Sequence, residues 1–222
     1  FSFKLTSSQL RSCTGIAIDN VRMKLLINEK LFKQKGRVLI THKGLSGPAI
    51  LKLSAFAARN LHSSNYKASL EINWIDSTND LIHKELKKYK RDYKVGYIRK
   101  INPYNIPKRL WNTFLFQADI GANTKWSNLS AKQERCLCEI LCKSVYSING
   151  KGPYGEEFVS AGGVDLSEVN FKSMESKICK GLFFAGEILN IDGITGGFNF
   201  QHCWTSGWLA GKGISKELLV ST

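Results

Sequence analysis

The chain has 222 residues, 43% of them apolar, and a formal net charge of +14. That length holds one large or two small domains with a real hydrophobic core, and the composition is that of a globular chain rather than a disordered one. No uninterrupted apolar run reaches the roughly 18 residues of a spanning helix, and no basic-then-apolar leader opens the chain, so a cytoplasmic protein without membrane association is expected.

The charge invites a nucleic-acid reading, because a basic surface gathers phosphates by releasing counterions. The lysine excess accompanies abundant Ile and Asn, as in a gene drifting toward A- and T-rich codons, so nucleic acid is not the expected partner. The six cysteines form no disulfide framework: Cys136, Cys138 and Cys142 share one predicted helix, while Cys13, Cys179 and Cys203 are scattered. No pair has C-x-x-C spacing, and His42, His62, His83 and His202 are far apart, so no metal is expected.

The chain opens on Phe1, and Phe1 to Leu5 already alternates as a strand does, which suggests a piece of a longer design. Residues 1–75 read as mainly β, with β-branched or alternating runs at 15–21, 38–41 and 66–74. One helix interrupts them, from Pro48 to about Leu61, with proline in the first turn where its missing N–H costs nothing.

Residues 77–148 read as helical. A cap at Ser77 or Thr78 opens the region. A lysine-rich segment follows, then Pro107 to Trp111. Last comes a helix with a Ser130/Gln133 capping box and Leu137, Leu141 and Val145 at helical spacing. Lys84 to Lys100 carries eight basic residues, with Tyr89, Tyr93 and Tyr97 four apart. Rings among lysines can stack on bases, but the spacing favours an amphipathic helix whose tyrosines cover the core while the lysines stay in water.

Beyond Asn149-Gly150 the pattern becomes glycine-punctuated strands at 158–164 and 181–186. The second is apolar on both faces, as in a central strand of a layered α/β sheet. A helix follows from about Phe198 to Ile214, with Cys203, Gly207 and Gly211 as a stripe of small residues. Gly150 to Gly155 formally matches G-x-G-x-x-G. It is expected to follow a helix and precede a strand, the wrong context for a dinucleotide site.

The most informative stretch runs from Gly181 to Gly211. A strand ends at Gly186-Glu187, a loop holds Asp192-Gly193, and Thr195-Gly196-Gly197 leads into the helix. Ligands of open α/β sheets bind outside the carboxyl ends of strands, where helix amino-termini offer free amides and partial positive charge. A flavin that has accepted hydride carries negative charge at N1 and O2, which amides of Gly197, Phe198 and Asn199 would stabilise. Spacing alone does not separate this from an ordinary glycine turn between a strand and a helix. The Gly44 to Pro48 turn is likewise either an anion site or a simple cap. His42 beside it is either a proton donor or substrate ligand, or a structural residue at a strand end.

Five blocks in order resemble the bacterial BaiN/RdsA-type NAD(P)/FAD-dependent oxidoreductases, also described as aminoacetone-oxidase-like. They are Thr41 to Leu51 (THKGLSGPAIL), Ile106 to Leu110 (IPKRL), Gly155 to Val164 (GEEFVSAGGV), Met174 to Lys177 (MESK) and the stretch from Gly181 to Gly211. The resemblance implies a mixed α+β and α/β chain in three parts: a β-barrel-like domain at 1–75, a helical domain at 76–150, and at 151–222 the returning portion of a Rossmann-like FAD-binding domain.

By the same resemblance, Gly186 and Glu187 lie near the ribityl-pyrophosphate of FAD, with Asp192 in the adjoining loop. Gly196, Gly197, Phe198 and Asn199 lie at the pyrimidine edge, and Gly162 and Gly163 at the reactive face. The sequence departs from the family at Asn190, Ile191, Phe198, Phe200 and His202, and lacks the amino-terminal strand-G-x-G-x-x-G-helix. The implied function is hydride transfer through FAD, with NAD(P)H or a small organic substrate as donor. The partners implied are FAD, a small-molecule substrate and a separately encoded amino-terminal Rossmann half. The competing reading is a basic nucleic-acid-binding module, or an inactive relic of a truncated flavoprotein.

Overall fold

Two long strands, β2 (Ala17–Ile27) and β3 (Lys30–Ile40), form a hairpin whose two-residue turn begins at Asn28, at φ 52°. Asparagine tolerates this left-handed conformation better than most residues, and such turns match the twist of paired strands. In β2, Val21, Met23, Leu25 and Ile27 alternate inward and are all fully buried, each stabilising the fold by about 1.5–3 kcal/mol. The computed structural model describes residues 1–152, 159–194 and 196–220, and the chain divides into two compact units, Phe1–Gly155 and Glu156–Thr222.

In the first unit the hairpin joins β1 (Phe3–Leu5), β4 (Gly44–Ser46), β5 (Lys67–Asn73) and β6 (Ser144–Lys151). They form a closed six-stranded antiparallel barrel in the order β1-β4-β3-β2-β5-β6. Closure rests on β6, which pairs with β5 from Lys67↔Asn149 to Ile72↔Ser144 and with β1 at Phe3↔Lys151. Helices α1 (Pro48–Phe56) and α2 (Ala58–Ser63) lie between β4 and β5. Three more separate β5 from β6: α3 (Asn79–Asp92), α4 (Lys108–Gln117) and α5 (Ala131–Lys143).

Thr78 caps α3 by accepting from the Leu81 amide at 3.4 Å, and the expected capping box opens α5, with Ser130 and Gln133 bonded both ways at 3.2 and 3.1 Å. One core runs through barrel and helices. The Trp74 ring lies 5.6 Å from Phe114 of α4 and 6.3 Å from Tyr146 of β6.

Three local expectations are corrected. The last helix stops at Lys143, and Val145 is an exposed strand residue rather than part of a buried helical face. Its β-branched neighbourhood pairs with β5, and tertiary pairing overrides the apparent helical period. The basic segment is helical only to Asp92. Tyr89 and Tyr93 stack at 5.2 Å, while Tyr97 lies past the helix end, bridged to Lys125. The G-x-G-x-x-G match follows a strand, not a helix. The Gly150 and Gly152 amides donate to Tyr66 O (3.0 Å) and Ser2 O (2.8 Å), which commits them to barrel closure, and 153–155 lie outside the described residues.

The second unit contains a two-stranded ribbon, β7 (Val169–Asn170) with β8 (Glu175–Ser176), and the helix α6 (Gly196–Val220). Among its described residues Val169, Met174, Leu189 and Ala210 form the buried apolar cluster. The strands expected at 158–164 and 181–186 do not form among the described residues, Phe158 lying outside them. Val164 makes one bridge to Leu189, Phe183 makes one to Glu175, and Leu182 is exposed. A central strand needs a neighbour on each side, and the described residues of this unit pair 181–186 on one side alone, with residues 174–176.

The mixed α and β class with a barrel agrees with the sequence reading. No helix among the described residues is long and apolar enough to cross a membrane.

Two features of the barrel give measurable outcomes. A Cβ at Gly44 would fall on the carbonyl oxygen of Phe3 and 2.9 Å from the amide of Leu5, both on the paired strand β1. Gly44→Ala should therefore cost on the order of 2–3 kcal/mol and lower the urea midpoint; an unchanged midpoint would show that the β1–β4 seam yields freely.

Arg22 of β2 and Lys35 of β3 meet Asp76 at 2.6 and 2.5 Å. The Lys35 hydrogen bond holds the Asp76 carboxyl below its usual 3.8, against an opposing effect of burial and with further help from the charges of Arg22 and Lys35. A depressed carboxyl stabilises the folded state fully above its unfolded value and loses that stabilisation as the pH falls through the folded one. The gap in urea midpoint between wild type and Asp76→Asn should hold near neutrality and narrow below pH 3.8; a gap constant into acid would mean the carboxylate charge contributes nothing.

Candidate functional site

The glycine-rich loop of the second unit is fastened to α6 by side chains of the helix itself. Gly186, at φ 76°, donates its amide to Ser206 Oγ at 2.9 Å, and its carbonyl lies 3.2 Å from His202 Nε2. Seven residues on, the Asn199 side chain grips Gly193. Its Oδ1 accepts from the Gly193 amide at 2.7 Å and its Nδ2 donates to the Gly193 carbonyl at 3.2 Å. Asn199 and Ser206 are accordingly 7% and 3% exposed. Buried polar groups are tolerated when they are bonded in this way.

Between these anchors Leu189 is fully buried, and the loop is clamped to residues 163–164. The Val164 amide donates to Ile188 O at 2.8 Å, and the Asn190 amide to Val164 O at 3.1 Å. Gly163, at φ 131°, permits this approach, because a Cβ there would lie 2.7 Å from the Leu189 carbonyl carbon.

Glycines of this loop and the helix fall into two groups. Gly163, Gly193 and Gly213 are required by the chain's own packing: a Cβ at Gly193 would come 2.8 Å from Phe198 Cβ, and one at Gly213 would meet Ser173 and Phe183. Gly162, Gly196 and Gly197 have nothing within 4 Å of an added Cβ. Gly196 and Gly197 open α6, where the first four amides of any helix lack intrahelical acceptors. Among the described residues, no atom lies within 4 Å of a Cβ added at either position. Thr195 lies outside the described residues, as do Gly155 to Phe158 of the GEEFVSAGGV block.

The residues singled out from the sequence are thus placed as follows. Gly163 and Gly186 are held inside the clamped loop, with the Gly186 amide already engaged by Ser206. Glu187 and Asp192 are exposed on that loop. Gly196, Gly197 and Phe198 form the exposed start of α6, and Gly162 borders open space. Asn199 points its side chain inward. The contributions of His202, Ser206 and the Asn199 amide group as loop anchors were missed, because hydrogen bonds spanning 6 to 20 residues leave no periodic trace in sequence.

His42 belongs to the first unit. It is exposed beside an open cavity of about 290 Å³ lined also by Lys4, Ser7, Arg11, Thr41 and Lys43. The Gly44 to Pro48 turn next to it is explained by packing: Gly47, at φ 98°, would place a Cβ 3.0 Å from Arg37 O and Leu39 N, and Ser46 Oγ accepts from Ser2 Oγ at 2.7 Å.

Helix α6 has two unlike faces. Asn199, Ser206, Ala210 and Gly213 turn inward. Phe200, Trp204 and Trp208 recur four apart and are each more than 60% exposed, with Gly207 and Gly211 on the same side. Phe200 and Trp204 stack at 6.1 Å, and the Lys212 ammonium lies 4.3 Å from the Trp208 ring centroid.

Comparison with known proteins agrees with this architecture. Residues 1–159 match the HI0933-like protein barrel and H2TH domain, and residues 114–213 match the HI0933-like protein Rossmann domain. The chain is 28% identical over 217 residues to a ribosomal RNA dihydrouridine synthase of Haemophilus influenzae, covering 98% of this chain and 51% of that protein. Its namesake from Escherichia coli is 27% identical, over 90% of this chain and 46% of its own length. A 3-dehydro-bile acid delta(4,6)-reductase of Clostridium scindens is 24% identical, over 96% and 52%. The chain spans about half the length of the curated relatives it matches. The barrel match covers well over half of the 222 residues and the Rossmann match most of the rest, and the chain belongs to the HI0933-like family.

Proposed function

We propose that this chain is the carboxy-terminal part of an FAD-dependent reductase whose substrate carries a ring C=C bond conjugated with a carbonyl. The observation that carries the reading is the Gly196-Gly197 pair at the start of α6, bare of side chains where no neighbour among the described residues demands it. A helix amino-terminus with open space beside its first amides suits an electron-rich, partly anionic ring edge.

The relatives' names support the choice of bond. A dihydrouridine synthase produces a uracil ring without its C5=C6 double bond, and a delta(4,6)-reductase acting on a 3-dehydro compound removes unsaturation conjugated with the 3-keto group. Both are reductions of an enone-like system, one in RNA and one in a steroid. FAD, when bound, supplies the hydride for such a step, refilled by NAD(P)H or another small donor.

This chain's contribution is placement and charge. Amides of Gly196, Gly197, Phe198 and Asn199 would face the pyrimidine edge of the ring, and Gly162 and Gly163 would leave room at its reactive face. Gly186 and Glu187 would lie toward the ribityl-pyrophosphate, with Asp192 in the loop between. Because Ser206 holds the Gly186 amide, Gly186 would serve the ligand by its missing side chain rather than by its N–H. The reduced carbon pair also needs a proton. The outward aromatic face of α6 is proposed to pack against the other half of the Rossmann domain, in the same or a separate polypeptide, consistent with the half-length coverage of the relatives.

Assembly with that half should yield a yellow protein, read by flavin absorbance after purification. Gly197→Val should leave the helix content of the chain unchanged, since a Cβ there meets no described atom within 4 Å, yet strip the flavin. Full flavin retention by Gly197→Val would reject the placement of the ring.

A further inference from the structure

Apart from the glycine-rich loop, uncompensated positive charge surrounds a cavity in the helical part of the first unit. From Tyr93 to Ala118 the sequence has five Lys or Arg residues and no Asp or Glu. Three of the five, Arg99, Lys100 and Lys108, line an open cavity of about 610 Å³ whose other walls include Tyr97, Ile106 and Trp111. Among the described residues none of these three cations has a carboxylate within ion-pair distance, unlike Arg22, Lys24 and Lys35 on the barrel. A fourth, Arg109, donates to Thr14 O at 2.6 Å and anchors α4 instead.

The cavity is built on rigid supports. The Ile98 amide donates to Thr124 O at 3.0 Å and Trp126 N to Gly96 O at 2.9 Å, which holds the Tyr97 segment from one side. Trp111 Nε1 donates to Ile98 O at 3.1 Å and holds it from the other. Asn102 braces the next turn by donating to Ile106 O at 2.6 Å and accepting from the Tyr104 amide at 3.1 Å. Ile106 is 5% exposed and Trp111 fully buried, giving an apolar floor. Tyr97 is 37% exposed, with the Lys100 ammonium 5.6 Å from its ring centroid.

An apolar floor, an exposed ring and a rim of unpaired cations are the elements of a site for a planar base attached to phosphates. A volume in the roughly 300–1,000 Å³ range of ligand sites admits one nucleotide. We propose that this cavity is an RNA-binding site that takes an unstacked nucleotide against Tyr97 while Arg99, Lys100 and Lys108 hold the adjoining phosphates. An acidic protein segment would use the cations but leave the ring and the floor unoccupied. The site stands on the first unit alone and is independent of the flavin reading.

The test is fluorescence anisotropy of a labelled single-stranded oligouridylate titrated with the chain across a salt series. Each phosphate contact on a single strand contributes about 0.7 to the slope of log K against log salt. The triple change Arg99→Ala/Lys100→Ala/Lys108→Ala should therefore flatten that slope by about 2. Tyr97→Ala should weaken binding roughly tenfold at high salt, where charge is screened, and Tyr97→Phe should restore it.

The control triple Lys30→Ala/Lys33→Ala/Lys67→Ala removes equal charge from exposed barrel positions and should leave the slope near wild type. Equal flattening by both triples, or competition by polyglutamate as effective as by unlabelled RNA, would overturn the proposal. If Tyr97→Ala fails to fold, the cation triple decides the matter, because all three of its side chains are exposed. Flavin absorbance of the assembled protein, read on the same triple variant, should be unchanged, which separates failure of this site from failure of the flavin reading.

Discussion

The first unit depends on one pairing, the return of β6 to lie between β5 and β1. Ile72 and Ser144 are partners in register although 72 positions separate them, so the three helices of that excursion leave the barrel and re-enter it at one place. The loop-closure entropy of so long an excursion rises only slowly with its length, and the register of six paired positions sets it against a contiguous ladder. Without β6 the sheet has two open edges, and the inward faces of β1 and β5 lose a neighbour. With it, Tyr146 and Ile148 enter the same core as Trp74, Phe114 and Leu141, and barrel and helices become one hydrophobic body.

That pairing also explains which parts of the fold were legible. Short-range signals were read correctly: proline at the start of α1, the Thr78 cap and the Ser130/Gln133 box depend on neighbours three residues away. The β6 strand was not legible, because Leu137, Leu141 and Val145 continue a period of four across the point where the helix stops. What ends the helix at Lys143 is the edge of β5, a partner distant in sequence. The same blindness affected Gly150 and Gly152, whose amides serve Tyr66 and Ser2. A motif pattern records the glycines but not the strands that use them.

The second unit reverses the problem. Its strands were expected from glycine-punctuated runs at 158–164 and 181–186, and the second, apolar on both faces, read as a central strand. The described residues instead form isolated bridges at Val164 and Phe183, because a central strand is a property of its neighbours. Gly163 and Gly186 occupy positive φ, and Gly193 admits no Cβ beside Phe198. The anchors Asn199, His202 and Ser206, spaced along one face of α6, were invisible because each acts on a backbone group in a different segment.

The two faces of α6 carry the argument a step further. The inward face is polar and small, since its task is to hold a loop by hydrogen bonds rather than to fill a core, and among the described residues of the unit the buried apolar cluster is Val169, Met174, Leu189 and Ala210. The larger apolar reserve lies on the outward face, in Phe200, Trp204 and Trp208 with the glycines that let another backbone approach. On the reading proposed above, covering that face completes the Rossmann layer and stiffens α6. The Gly196-Gly197 turn would then be held in position by the same event that brings the rest of the flavin site to it, linking stability of the second unit to formation of the site.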